Sequence, residues 1–321
     1  MSYEELSNLY KPLYSGFVNL VDIAKRPLLA HYTSLEVLEK IMINNELWFS
    51  NPLFMNDLQE IRFGMLEGRR AFDEICLEDD FIAAIGSVQR VASLKQSFQR
   101  YFREFDSTQV LDTFVFCLSE HDPNNFDGLL SMWRGYGANG HGVALVFNTD
   151  FMEARVGSPL LIAKVRYETN EQRVNWIKGT FRECAQLSKK IGVVDNELRH
   201  IATHMFTLMK IASILSKHDG FKEEAEWRII YVPDRDDHKL FTENFSYVIG
   251  KNGIEPKLRF KIEPLKLEPA DTWTFFSILD RIILGPSFSW PQLIERMFKV
   301  LNKTEFTKKV VVSKIPFRAT K

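Results

Sequence analysis

Hydrophobic positions recur along this chain with two periods, each marking a different kind of element. Ser34 is followed by Leu35, Leu38, Ile41 and Met42 at helical spacing, which predicts a helix from Ser34 to Asn45 with Ser34 as its cap. Leu47 to Ser50 reads as a short strand, broken by Asn51-Pro52. From about Asp57 to Arg103 the chain is charged and helical in period. Phe114 to Ser119 reads as a buried strand and Glu120 to Asp127 as a loop. Met132 to Tyr136 leads into a bend containing Gly137, Gly140 and Gly142, and Val143 to Phe147 and Ala163 to Tyr167 are the next strands. A long helical stretch follows over about 170–216, where Leu198, Ile201, Met205, Leu208, Ala212 and Leu215 form one apolar stripe. The last third returns to strands, at Trp227 to Val232, Leu258 to Ile262, Arg281 to Pro286 and Lys309 to Ile315.

Helices and strands alternate without regular βαβ units. That order predicts an α+β fold with a mixed, largely antiparallel sheet. No repeat and no Gly/Ser/Pro-rich linker divides the chain, so a single domain over residues 1–321 is expected, with helical insertions at about 58–105 and 170–216.

Composition narrows the picture. Hydrophobic residues make up 45% of the 321 residues, with 26 Phe, enough for a sizeable core. The 41 basic residues nearly balance the 42 acidic ones, so no global field draws the chain to nucleic acid or an anionic membrane. Cys76, Cys117 and Cys184 are scattered and form no CxxC pair, which suits a reducing compartment better than a cysteine-based zinc site. The N-terminus lacks a basic segment followed by an apolar one, and no window approaches the ~18 apolar residues of a membrane helix. A cytoplasmic location with no membrane partner is expected.

The dinucleotide-fold, P-loop, zincin and serine-hydrolase signatures are missing. His200 and His204 have the spacing of a metal pair, but they fall off the apolar stripe and read as polar-face histidines. Four other segments carry chemistry. Ala30-His31-Tyr32-Thr33-Ser34 places an imidazole, a phenol and two hydroxyls where a strand meets a helix N-terminus, a place suited to an anionic or ribose-bearing ligand. Asn56 and Asp57, with Glu60 three residues after Asp57, look like a capping box or a loop ordering part of a pocket. Trp133 and Tyr136 flank Arg134 and Gly135, so either aromatic could stack on a planar ring or lie in the core. Glu226 stands at the start of a strand with Arg228 on the same side. That pair is either a structural ion pair or a catalytic acid with an orienting cation.

Taken in order, these segments resemble the bacterial domain-of-unknown-function family DUF2971. The residues carrying the likeness are His31-Tyr32-Thr33, Leu47 to Pro52, Phe54 to Glu60, Ser119, Met132-Trp133 with Tyr136, Gly140 with Gly142 to Phe147, Glu226-Trp227-Arg228, Ile283 to Pro286 and Val312 to Arg318. Leu58 stands where that family commonly carries Pro. A second resemblance is to the ADP-ribosyltransferase layout: an early His-x-Thr strand, a central aromatic and a late Glu starting a strand. It implies an ADP-ribosyltransferase-like fold with NAD as co-substrate and no metal. His31 with Thr33 would hold the ribose, Tyr136 or Trp133 would stack on nicotinamide, and Glu226 would act at the ribose. Glu224-Ala225-Glu226 is similar to the Glu-x-Glu pair of some members. Tyr32, Ser34, Asn56, Asp57, Ser119 and Arg228 complete the expected cofactor-binding set.

The function so implied is transfer of ADP-ribose from NAD to a protein, DNA or RNA, or hydrolysis of NAD. The resemblance also suggests a defence or toxin effector, with a defence-system or antitoxin partner. A metal-dependent nuclease using Asp57, Glu60 and Glu226 is an alternative, and a non-catalytic nucleotide sensor is another. Arg90, Lys95, Arg100 and Arg103 mark a basic stretch that faces either nucleic acid or solvent.

Overall fold

A computed structural model describes residues 3–15, 27–55, 58–107, 112–151, 158–233, 236, 239–250, 253–262 and 274–318. The strands are β1 (Leu28–Thr33), β2 (Glu46–Ser50), β3 (Phe114–His121), β4 (Val143–Phe147), β5 (Leu160–Lys164), β6 (Arg166–Glu168), β7 (Ser216–His218), β8 (Glu226–Tyr231), β9 (Phe245–Gly250), β10 (Gly253–Lys261), β11 (Leu279–Leu284) and β12 (Val310–Val312). The helices are α1 (Tyr3–Ser15), α2 (Leu35–Asn44), α3 (Leu58–Ile75), α4 (Asp79–Ile85), α5 (Val88–Ser107), α6 (Leu130–Gly135), α7 (Asn170–Ile191), α8 (Leu198–Ile214), α9 (Phe275–Ile278) and α10 (Gln292–Val300).

All these strands but β6 and β7 form one sheet, with the order β12-β11-β4-β1-β3-β2-β10-β9. β8 lies on the other edge of β3, and β5 lies outside β8. The described pairs of this sheet are antiparallel apart from β11 with β12. The fold is therefore α+β, with a mixed and mostly antiparallel sheet.

Side chains alternate across a strand, so the sheet has two apolar faces. On one face, Leu29, Phe116, Leu118, Leu145, Trp227 and Ile282 pack beneath α2, α9 and α10. On the other, Val115, Leu161, Ala163 and Ile230 meet the helical layer. The two helical insertions form one packed body in which α3 and α5 lie against α8 and α4 against α7. Close approach is set by Gly64 and Gly68, where an added Cβ would fall 2.6 Å from Ser213 and from the Met209 sulfur of α8.

Three expectations change on contact with the structure. The stretch Ala163 to Tyr167 is two strands, because Val165 N bonds Glu226 O and Arg166 N bonds Leu215 O, switching the chain to the β6–β7 pair. β3 runs on to His121, since Glu120 and His121 pair with Leu29 and Leu28 of β1. His204 is not a polar-face histidine: it is 4% exposed, stacks on Tyr10 at 4.6 Å, and bonds the Tyr14 hydroxyl at 3.0 Å. α8 is buried on nearly all sides, and α1 covers the flank of it that carries His204.

Candidate functional site

β1 and β2 run along the same edge of β3 at opposite ends. β1 meets Ser119, Glu120 and His121, whereas β2 meets Val115. Between these contacts the two strands part, and a side chain meets the β3 backbone: His31 Nδ1 lies 3.0 Å from the Cys117 carbonyl oxygen. A cleft of about 280 Å³ opens at the parting. Its polar lining comes from His31, Tyr32, Cys117, Ser119, Tyr136, Glu224 and Glu226, and Phe54, Met55 and Met132 supply apolar walls.

His31 is fixed by stacking on Phe116 at 4.4 Å and by the Cys117 carbonyl. Burial pushes its pKa below the ordinary histidine value, outweighing the carbonyl bond, which acts the other way. A carbonyl only accepts, so Nδ1 carries the proton and Nε2 keeps its lone pair. Tyr32 lies beneath, its ring edge-on to Trp133 at 4.9 Å and its hydroxyl accepting from Leu129 N at 3.0 Å. Burial raises its phenol to about 12.

Glu226 opens β8 opposite Ser119, which in turn pairs with Ala30 of β1, so one row of the sheet spans the floor of the cleft. The residue is 5% exposed. Oε1 accepts from Arg228 Nε at 2.8 Å and Oε2 from Arg228 Nη2 at 2.9 Å. Lys217 Nζ stands 3.5 Å from Oε2. Burial would raise the carboxyl pKa, but Arg228, Lys217 and the Cys117 thiol together outweigh it and hold it at about 2. Glu226 is thus ionised throughout the neutral range.

Glu224 is the second carboxylate. It ends a 3-10 turn over Asp219–Glu224, after which Ala225 adopts φ 42°. That left-handed conformation is rare for a residue with a Cβ and redirects the chain into β8. The turn is pinned to β3, because the Ser119 hydroxyl donates to Glu224 O and Glu120 N donates to Ala225 O at 2.9 Å. Glu224 Oε2 accepts from Lys217 Nζ at 2.5 Å, and Oε1 accepts from the Tyr136 hydroxyl at 2.9 Å. Two carboxylates and two cations thus form one continuous cluster at the cleft wall.

The sequence-derived candidates divide accordingly. His31, Tyr32, Ser119, Tyr136 and Glu226 meet at the cleft. Trp133 is fully buried beneath it, its one polar atom donating to Asp127 O at 2.9 Å, so of the two aromatics Tyr136 faces the opening. Thr33 pairs with Val143 at the far end of β1, away from the lining. Ser34 is spent as the cap of α2, accepting from Val37 N at 3.3 Å. Arg228 stands behind Glu226 rather than in the cleft, with Nη1 on Ile214 O at 2.5 Å. The expectations for Asn56, Asp57 and the Glu60 side chain fall outside the described residues. On α5, Lys95 pairs with Asp73 at 2.7 Å, Arg100 with Glu104 at 2.7 Å and Arg90 with Asp195 at 3.2 Å.

Sequence reasoning missed Lys217, which is 1% exposed between the two glutamates. A lysine two residues after an apolar stripe, in a chain that then turns into a Glu-x-Glu segment, was the available signal. Among the described residues no group of three His, Cys, Asp or Glu side chains is disposed to hold a metal ion. No helix among them is long and apolar enough to cross a membrane.

Residues 132–229 match the family described as Protein of unknown function (DUF2971). The match runs from α6 into β8, so it contains Tyr136, Lys217, Glu224, Glu226 and Arg228, while His31 lies before it. No curated protein and no solved structure matches the chain.

Proposed function

We propose that this protein, which resembles the DUF2971 family over residues 132–229, is an ADP-ribosyltransferase-like enzyme that breaks the nicotinamide–ribose bond of NAD, passing ADP-ribose to a macromolecule or to water. The observation carrying this reading is the convergence of His31, Tyr136 and Glu226, from three distant parts of the chain, on one cleft where the sheet divides.

The residues present fit that co-substrate. His31 Nε2 offers a lone pair to a ribose hydroxyl. Tyr136 is 39% exposed at the opening, and its ring would stack on a planar base. Glu226, both of whose oxygens are held by Arg228, offers their remaining lone pairs to the ribose hydroxyls and a negative charge beside C1′. When the C1′–N bond breaks, nicotinamide leaves with the bonding pair and C1′ becomes cationic. A nucleophile then bonds to C1′ and gives up its proton. A carboxylate about 4 Å from that carbon interacts with the developing charge by on the order of 4 kcal/mol at an effective dielectric near 20. Arg228 offsets part of this attraction while fixing the carboxylate in place, so no reorganisation is needed as charge appears.

The same ion pair favours a second reading, a domain that binds a nucleotide without turning it over, because both Glu226 oxygens are already engaged. The two readings separate when the protein is incubated with NAD labelled in its adenylate half, with and without cell lysate. Labelled ADP-ribose, free or attached to protein or nucleic acid, is the result expected. Binding of intact NAD with neither product would leave only the sensor.

A further inference from the structure

We infer that the flank of α10 turned away from the sheet docks on an anionic lipid bilayer, lying on its surface without crossing it. This stands apart from the NAD reading. The chain's net charge of −1 conceals a local one, since from Trp290 to Arg318 seven Lys or Arg residues stand against two Glu. Helical spacing sorts α10 into faces. Ile294 and Phe298 are buried in the core beside the sheet. Leu293 and Val300, seven residues apart and so on one flank, are 55% and 79% exposed. Trp290 is 68% exposed and sits one turn before Leu293, whose N donates to Trp290 O at 3.0 Å. Arg296 and Lys299, both exposed, are one turn apart on the adjoining flank, and Lys303 follows Asn302, whose φ of 55° turns the chain out of the helix.

A single exposed apolar side chain needs no explanation. Here two aliphatic chains and an indole share one flank, with cations along its border, which is the pattern of a helix lying in a membrane interface. The apolar side chains would enter the acyl boundary and the Trp290 ring would sit at headgroup level, while Arg296, Lys299 and Lys303 would meet the lipid phosphates. With nine residues α10 is too short to span a bilayer, so the contact is peripheral. Other occupants fit less well. A nucleic acid would engage the cations and stack on Trp290, but it gains nothing from an exposed Leu and Val. A second copy related by a two-fold axis would bring these cations onto their own counterparts.

The test is co-sedimentation of the full chain with vesicles of phosphatidylcholine alone and of phosphatidylcholine containing about one-third phosphatidylglycerol. The native protein is expected to bind the anionic vesicles at least ~20-fold more tightly than the neutral ones, since each cation near such a surface is worth roughly fivefold. High salt should release it. Arg296→Glu with Lys299→Glu should abolish the preference, and Leu293→Ser with Val300→Ser should weaken binding at least ~10-fold. All four positions are exposed, and thermal unfolding checks that each variant is folded. The salt dependence of the native protein reads the same contact without any substitution. No binding to anionic vesicles, or binding that survives both high salt and the charge reversals, overturns the inference. So does capture of a single-stranded oligonucleotide, undiminished by Leu293→Ser with Val300→Ser, by a protein that ignores the vesicles; that result assigns the flank to nucleic acid.

Discussion

Arg228 grips Glu226 by both carboxylate oxygens, at 2.8 and 2.9 Å, and both side chains are almost wholly buried. A buried pair of this kind is costly to break from one side, because the remaining charge is left without its partner. Arg228→Met is expected to destabilise the protein by on the order of 3–5 kcal/mol. Replacing both residues together, as Glu226→Leu with Arg228→Met, is expected to cost much less. Urea unfolding of the two proteins measures this, and equal losses would contradict the pairing.

The same carboxylate sets an acid limit. Its folded pKa of about 2 lies below the ordinary 4.5, so its stabilising contribution is complete above pH 4.5 and is lost as pH falls toward 2. That contribution is on the order of 3 kcal/mol. The stability gap between the native protein and Glu226→Gln should therefore narrow between those pH values. A gap independent of pH would show that Glu226 is not held ionised by its neighbours.

Tyr136 separates ring from hydroxyl. Tyr136→Phe keeps the face and loses the bond to Glu224, which at an exposed site is expected to cost about 0.5–1.5 kcal/mol of stability. Ligand affinity should hardly change. Tyr136→Ala removes the face and is expected to weaken nicotinamide binding by roughly tenfold, in keeping with ~1 kcal/mol or more per stacked ring. Calorimetry on both variants distinguishes stacking from hydrogen bonding as the role of this residue.

Gly142 tests how the cleft is framed. A Cβ there would sit 2.1 Å from the Thr33 carbonyl oxygen, where β1 meets the bend after α6. Backbone cannot yield as a side chain does, so Gly142→Ala is expected to cost at least ~2 kcal/mol. Thermal unfolding reads the loss, and a neutral substitution would mean that β1 and the bend are less tightly apposed.

What the sequence made legible was local. Ser34 with its helix, the apolar run Val143 to Phe147 and Glu226 at the start of a strand each follow from neighbours a few residues away. β9 escaped because Phe245, Tyr247 and Ile249 remain substantially exposed at the sheet's edge and carry no strong core signal. The parting of β1 from β2 escaped as well, since it depends on how two distant strands share one edge of β3. Lys217 and the left-handed Ala225 acquire meaning only when β7 and the turn before β8 bring them to the carboxylates. Thr33 shows the converse: a hydroxyl that the sequence pattern suggested for the site pairs with Val143 and lies outside the cleft lining.

The measurement that bears most directly on the central claim is nicotinamide release from NAD by the native protein, Glu226→Gln, Glu226→Asp and His31→Ala, each first shown to be folded by circular dichroism. The native protein should release nicotinamide, and Glu226→Gln should do so at least ~10²-fold more slowly, the scale of losing one preorganised electrostatic group. Glu226→Asp should retain more activity than Glu226→Gln, and His31→Ala should lose affinity for NAD. Equal release by native protein and a folded Glu226→Gln would contradict the account.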